Sequence, residues 1–193
     1  MTAPFGPLTP DFILSAVEAA GLRCDGRLLT LNSYENRVYQ VGIEDAAPLI
    51  AKFYRPGRWS DAAILEEHAF LAELEDAEIP AVAALEIGGH TLHHHEGFRI
   101  ALFPRRGGRA PELDDPEVLG WLGRFLGRIH AVGAIRAFTH RPTLDIRSFG
   151  ETPRDTLLAS AFLPPELRDT WRSVVDQALD GVRHCFERAG SLP

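Results

Sequence analysis

Three strand-like runs stand close together early in the chain: LLTLNS (28–33), NRVYQVGI (36–43) and PLIAKFY (48–54). Tyr34-Glu35 separates the first two, and the polar turn Glu44-Asp45-Ala46-Ala47 separates the second from the third. Spacers this short favour antiparallel hairpins over crossover connections. Upstream, Phe12, Ile13, Ala16, Val17 and Ala20 fall at helical spacing behind Pro10 and Asp11, and Gly21 ends that helix. Downstream, Ser60 or Asp61 can cap a helix through AAILEEHAFLAELED, whose expected buried face is Ile64, Leu65, Leu71 and Leu74. Pro80 closes that region. Two further strands are expected at AVAALEI (81–87) and GFRIALFP (97–104), with GGHTLHHHE as the exposed tip between them.

After the Gly- and Pro-rich loop RRGGRAPELDD the pattern turns helical and stays so, which sets an expected division into 1–104 and 105–193. Asp115-Pro116 opens a helix with Val118, Leu119, Trp121, Leu122, Phe125, Leu126 and Ile129 as its apolar stripe, ending near Gly133. A last helix is expected from about Pro165 to Ala189, with Trp171, Val174, Val175, Leu179, Val182 and Phe186 on one face. The expected fold class is α+β. A five-stranded antiparallel sheet and one long helix form a lobe like the N-terminal lobe of a protein kinase, followed by the first helices of a second lobe.

Composition narrows the function classes. With 45% hydrophobic and 24% charged residues the chain can build an ordinary core. Its net charge of −7 argues against a general binder of nucleic acid or anionic membrane, since both require a basic surface. Cys24 and Cys185 show no metal-ligand spacing and are too few for a disulfide framework. The opening MTAPFGPLTPDF lacks the layout of a signal peptide, and no stretch is apolar enough to span a membrane, so a cytoplasmic location is expected.

Chemistry concentrates on the third strand. Alternation turns Leu49, Ala51 and Phe53 one way and Ile50, Lys52 and Tyr54 the other, so Lys52 stands among apolar side chains. Alone, such a lysine can be a snorkelling strand residue. A carboxylate on the following helix changes that reading. Glu67 lies three residues after Ile64 and four before Leu71, beside the buried face, where an unpaired charge is costly. Glu67 is therefore the expected partner of Lys52, and Glu66 is the alternative if the register is off by one. A lysine aimed by a helix glutamate can hold the α- and β-phosphates of a nucleotide.

In combination, the blocks LNSYENRVYQ, KFYRPGRW, ILEEH, FP followed by GGR, LGRIH and HRPTL resemble the bacterial stress response kinase A family. LGRIH by itself also occurs across the wider group of kinases related to aminoglycoside and choline phosphotransferases. The resemblance implies a monomeric, cytoplasmic Ser/Thr protein kinase that uses ATP and Mg²⁺, phosphorylates protein hydroxyls including its own, and serves the response to envelope or oxidative stress. By position it implies that Ser33, with Asn36 nearby, contacts ATP in the turn between the first two strands. Ala101-Leu102-Phe103-Pro104 would be the hinge, with Leu102 and Phe103 at the adenine. Glu35 is awkward beside a triphosphate and is expected to point outward or pair locally, with Arg37 as the nearest compensating charge.

Phosphoryl transfer also needs an aspartate base and metal-holding Asn and Asp residues. The resemblance places these in an HGDxHxxN stretch and a later strand, beyond Pro193, and no HGD tripeptide occurs in the chain. Asp114-Asp115 reads as the cap of a helix rather than a metal pair. Alternation along His93, His94 and His95 argues against a shared metal site there. Three readings stand: a truncated stress response kinase A, inactive alone; a fragment of a small-molecule kinase of the aminoglycoside or choline type; and a non-catalytic module that binds nucleotide or a partner kinase.

Overall fold

The computed structural model describes residues 4–190. In order they form α1 (Pro10–Ala19), β1 (Cys24–Leu31), β2 (Arg37–Ile43), β3 (Leu49–Phe53), α2 (Asp61–Asp76), β4 (His93–His95), β5 (Phe98–Pro104), α3 (Pro116–Gly133), α4 (Thr152–Ala159) and α5 (Arg168–Ala189). The strands make one sheet in the order β1-β2-β3-β5-β4, with every neighbouring pair antiparallel. The chain divides into two compact units, Met1–His140 and Arg141–Pro193. The change from strands to helices comes earlier, between β5 and α3.

Helix α1 begins at Thr9, whose hydroxyl accepts the Phe12 amide at 3.3 Å, with Pro10 supplying a fixed φ in the first turn. It lays Ile13, Ala16 and Val17 on one face of the sheet, against Tyr39, Val41, Ala51, Phe53, Phe98, Ile100 and Leu102. Each of the larger residues buried there contributes about 1.5–3 kcal/mol. The amphipathic pattern of α1 was legible in the sequence, but its packing against the sheet was not.

The opposite face carries α2, capped by the Ser60 hydroxyl on the Ala63 amide at 3.2 Å. Its first residue, Asp61, pairs with Arg99 of β5 and lies 3.1 Å from His94. At its far end, the Arg128 guanidinium of α3 donates to the carbonyls of Ala77 and Glu78 at 2.8 and 3.0 Å, satisfying acceptors that a helix end leaves open. The buried face of α2 is Ala63, Ile64, His68 and Leu74. Leu65, expected inside, is exposed, and the reason is His68. Its ring sits 2.9 Å from the Tyr54 hydroxyl and 2.9 Å from the Thr91 hydroxyl, so the helix turns a satisfied histidine inward and rotates Leu65 out.

The expected strand at 81–87 does not form. That segment runs as irregular backbone, tied by the Leu85 amide to the Leu102 carbonyl at 2.7 Å and by the Ala83 amide to Glu75 at 3.0 Å. Three of its seven residues are alanine, a poor strand former. The fourth strand is instead His93–His95, within the expected hairpin tip, joined to β5 by Glu96 and Gly97. Both turn residues have positive φ, 43° and 86°, as a tight hairpin with right-handed strand twist requires. The histidines are therefore not a bare tip. His95 packs edge-on to Phe12, His93 is half-buried, and only His94 is exposed.

In the second unit, the turn at Arg147–Glu151 and helix α4, neither foreseen, pack beside α5. Gly150 lies so close to buried Leu179 that a Cβ there would collide with it. Arg154 meets Asp176 at 2.8 Å and Arg183 meets Glu151 at 2.6 Å. Among the described residues no helix is long and apolar enough to cross a membrane.

Burial holds the His68 imidazole at a pKa of about 4, with Lys52 adding to the effect and Glu67 opposing it, against 6.5 for an ordinary histidine. The unfolded chain therefore takes up this proton first. The resulting stability is intact above about pH 6.5 and is lost as pH falls toward 4, by about 2 kcal/mol at pH 5. Urea unfolding at pH 7 and pH 5 should show this loss in the wild type and a smaller one in His68→Gln. An identical loss in both would show that His68 is not its source.

Candidate functional site

The antiparallel register fixes what surrounds Lys52. Val38 of β2 and Ala101 of β5 are its direct cross-strand neighbours, and Ile50 pairs with Phe103 one step along the same face. Ala101 is fully buried, whereas Val38, Ile50 and Phe103 remain partly open, so an incompletely covered apolar shelf lies beside the lysine. The ammonium sits 4.4 Å from the centre of the Tyr54 ring, a cation–π contact.

Helix α2 brings Glu67 to this lysine at 2.7 Å, and each side chain is 21% exposed. The pair is therefore partly buried rather than sealed from solvent. Glu66 faces elsewhere. Its carboxylate accepts the Thr139 amide at 2.6 Å, the Thr139 hydroxyl at 3.1 Å and the His140 amide at 3.0 Å. Residues 134–140 thus run as a strap along the outside of α2, where Phe138 also stacks edge-on to Phe70 and Arg136 pairs with Glu73.

The turn between β1 and β2 contains no glycine; it reads Asn32-Ser33-Tyr34-Glu35-Asn36. Ser33 is exposed, and Tyr34 is fully so at 101%. The Asn36 carbonyl oxygen Oδ1 accepts the backbone N–H of Arg55 at 3.1 Å. Glu35 neither points outward nor pairs with Arg37, which lies instead 4.5 Å over the Phe5 ring. Its two oxygens accept the Trp59 indole N–H at 2.8 Å and the Arg58 Nε–H at 3.1 Å. Burial works to raise the Glu35 carboxyl, but the Trp59 and Arg58 bonds hold it below the ordinary carboxylate range.

Lys52, Glu67 and Phe103 share the α2 face, and Asn36 ties the β1–β2 turn to the residue that follows β3 and Tyr54. Leu102 does not share that face. Its side chain is fully buried on the α1 face and has no access to the shelf. Ile50 was already placed beside Lys52 by alternation; Val38, Arg58 and Trp59 were not foreseen, and strand pairing would have signalled Val38, which lies across from Lys52. Among the described residues no group of three His, Cys, Asp or Glu side chains is arranged for a metal ion. Asp115 caps α3, accepting the Glu117 amide at 2.8 Å.

Stress response kinase A of Escherichia coli strain K12 is 40% identical to this chain over 178 residues, covering 92% of the chain and 54% of that protein. Serine/threonine protein kinase RdoA of Salmonella typhimurium strain LT2 is 40% identical over 182 residues, covering 94% and 56%. The chain spans about half the length of the relatives it matches. In fold it is similar to the amicoumacin kinase hAmiN in complex with AMP-PNP, Ca²⁺ and Ami, with a TM-score of 0.69 at 18% identity over 92% of this chain and 53% of that one. Residues 28–186, from within β1 to near the end of α5, match the family APH, and the chain therefore belongs to the phosphotransferase enzyme family.

Proposed function

We propose that this chain is the nucleotide-binding portion of an ATP-dependent Ser/Thr protein kinase of the stress response kinase A type. The observation that carries this reading is the Lys52–Glu67 pair at 2.7 Å, half-open at the edge of an apolar shelf. Lys52 holds the α- and β-phosphates as a point charge, and Glu67 keeps the ammonium from swinging away. Val38, Ile50 and Phe103 take one face of the adenine, while backbone groups at the end of β5 meet its edge. Ser33 and the amides around it meet the phosphates from the turn above. The name of the Salmonella relative, serine/threonine protein kinase RdoA, supports a protein hydroxyl as acceptor.

A divalent ion would neutralise phosphate charge during transfer. The described residues do not fit it, since they group no three metal-ligating side chains, and we assign its ligands and the base to the part of the relatives' length that this chain does not span. A small-molecule acceptor is the second reading, supported by the fold shared with amicoumacin kinase. The exposed stripe of α3, with Leu119 at 48%, Trp121 at 63% and Leu126 at 54%, is the surface that a covering layer or a partner would use.

Calorimetry with ATP tests the binding half. Lys52→Ala and Glu67→Gln should weaken binding at least about tenfold, the scale of a lost charge-assisted hydrogen bond. Glu66→Gln should instead cost about 1 kcal/mol of stability through the loosened strap and leave the affinity of the folded protein unchanged. Equal losses of affinity in the two glutamate variants would defeat the assignment of Glu67. The catalytic half is tested with radiolabelled ATP: the 193-residue chain should give no Lys52-dependent incorporation into itself or a protein substrate. Label that disappears in Lys52→Ala would show that these residues suffice for transfer.

A further inference from the structure

A phosphate-binding turn without glycine has a difficulty that the structure answers. Glycine-rich turns wrap phosphates with bare backbone, and their flexibility lets them close on the ligand. The turn at residues 32–36 carries five side chains, one of them a carboxylate, so it must be held at a fixed height and its negative charge kept away from a triphosphate. The Glu35 bonds to Trp59 and Arg58 do both. One carboxylate oxygen is engaged by the indole and the other by the guanidinium, which in turn lies 4.7 Å over the Trp59 ring. A second tie runs parallel, from Asn36 to the Arg55 amide.

The far side of this clasp reaches the lysine. Trp59 packs against the cluster of Tyr54, Ile64, Leu92 and Ala101. Tyr54 is the ring under the Lys52 ammonium, Ala101 its cross-strand neighbour, and Ile64 belongs to the helix that bears Glu67. The indole is thus one rigid body, with its N–H on the turn and its ring against the floor of the lysine.

We infer that Glu35 and Trp59 form a positioning clasp, which sets the β1–β2 turn over Lys52 so that the turn and the ammonium engage the same phosphates. This rests on the nucleotide-site reading above. Neither residue needs to touch the nucleotide. The clasp does the work that glycine flexibility and ligand-driven closure do elsewhere, by fixing the turn before the ligand arrives.

The distinguishing property is dependence on phosphate. A clasp that positions the turn affects ligands that carry phosphates and spares adenosine, which reaches only the shelf. Binding of ATP, ADP and adenosine to the wild-type chain, Glu35→Gln, Glu35→Ala and Trp59→Phe should be measured by calorimetry, with circular dichroism to show that each is folded. Glu35→Ala should weaken ATP and ADP by about tenfold and Trp59→Phe, which leaves the Arg58 bond, by less; both should leave adenosine unchanged, and the double variant should be no worse than Glu35→Ala, which already breaks both bonds. Glu35→Gln, which keeps an acceptor for the indole but loses the charge on Arg58, should fall between Glu35→Ala and the wild type. It keeps the test decisive if Trp59→Phe does not fold. Unchanged ATP affinity in Glu35→Ala would overturn the clasp, as would an equal loss of adenosine. If the wild-type chain binds adenosine and ATP equally, the Lys52 reading itself fails; if it binds ATP tightly and the variants match it, only the clasp does.

Discussion

An ammonium group in the middle of a five-stranded sheet has to be compensated, and most of the first unit follows from how this chain compensates Lys52. On the α1 side the centre of the sheet is packed with apolar and aromatic side chains and offers no carboxylate to Lys52. The charge faces α2, and α2 must then dock with a carboxylate at that height. Glu67 meets the requirement at 2.7 Å. The other anchors of α2, Asp61 on Arg99 and His68 between Tyr54 and Thr91, set the helix where that carboxylate reaches the strand. An unpaired charge here would cost several kcal/mol, more than any single apolar contact around it returns.

The two faces of the sheet divide their labour. On the α1 side, Phe5, Phe12, Phe53, Tyr39 and Phe98 stack edge-on or offset with centroids 5.5–6.5 Å apart, a dry layer whose role is to hold the strands in register. Lys52, Glu67, His68 and Trp59 lie on the other side. Consecutive residues of β5 show the division at its sharpest, since Leu102 goes to the dry layer and Phe103 to the shelf.

Alternation on β3 and the helical spacing of α2 made Lys52 and Glu67 legible from the sequence, because both patterns are local and both elements form where they were expected. What the sequence hid was set by partners far along the chain. Glu35 finds Arg58 and Trp59, 23 and 24 residues away, rather than its neighbour Arg37. Leu65 lost its place inside to His68, which no hydrophobic pattern counts as a core residue until Tyr54 and Thr91 are seen to satisfy it. The fourth strand was sought in the apolar run 81–87 and formed from three histidines instead, because a two-residue turn at Glu96-Gly97 pairs them with β5 directly. Leu102 and Phe103, adjacent in β5, turn their side chains to opposite faces of the sheet, as strand geometry requires.

Glu66 and Glu67 are adjacent, so their side chains leave α2 about 100° apart. One is held by the sheet through Lys52 and the other by the strap at Thr139 and His140. A helix gripped at two azimuths cannot roll about its own axis without releasing both grips, yet it keeps its angle when either alone is lost. The orientation of Glu67 is accordingly a standing property of the unit rather than a position to be switched, and α2 behaves as a pinned axle rather than a dial.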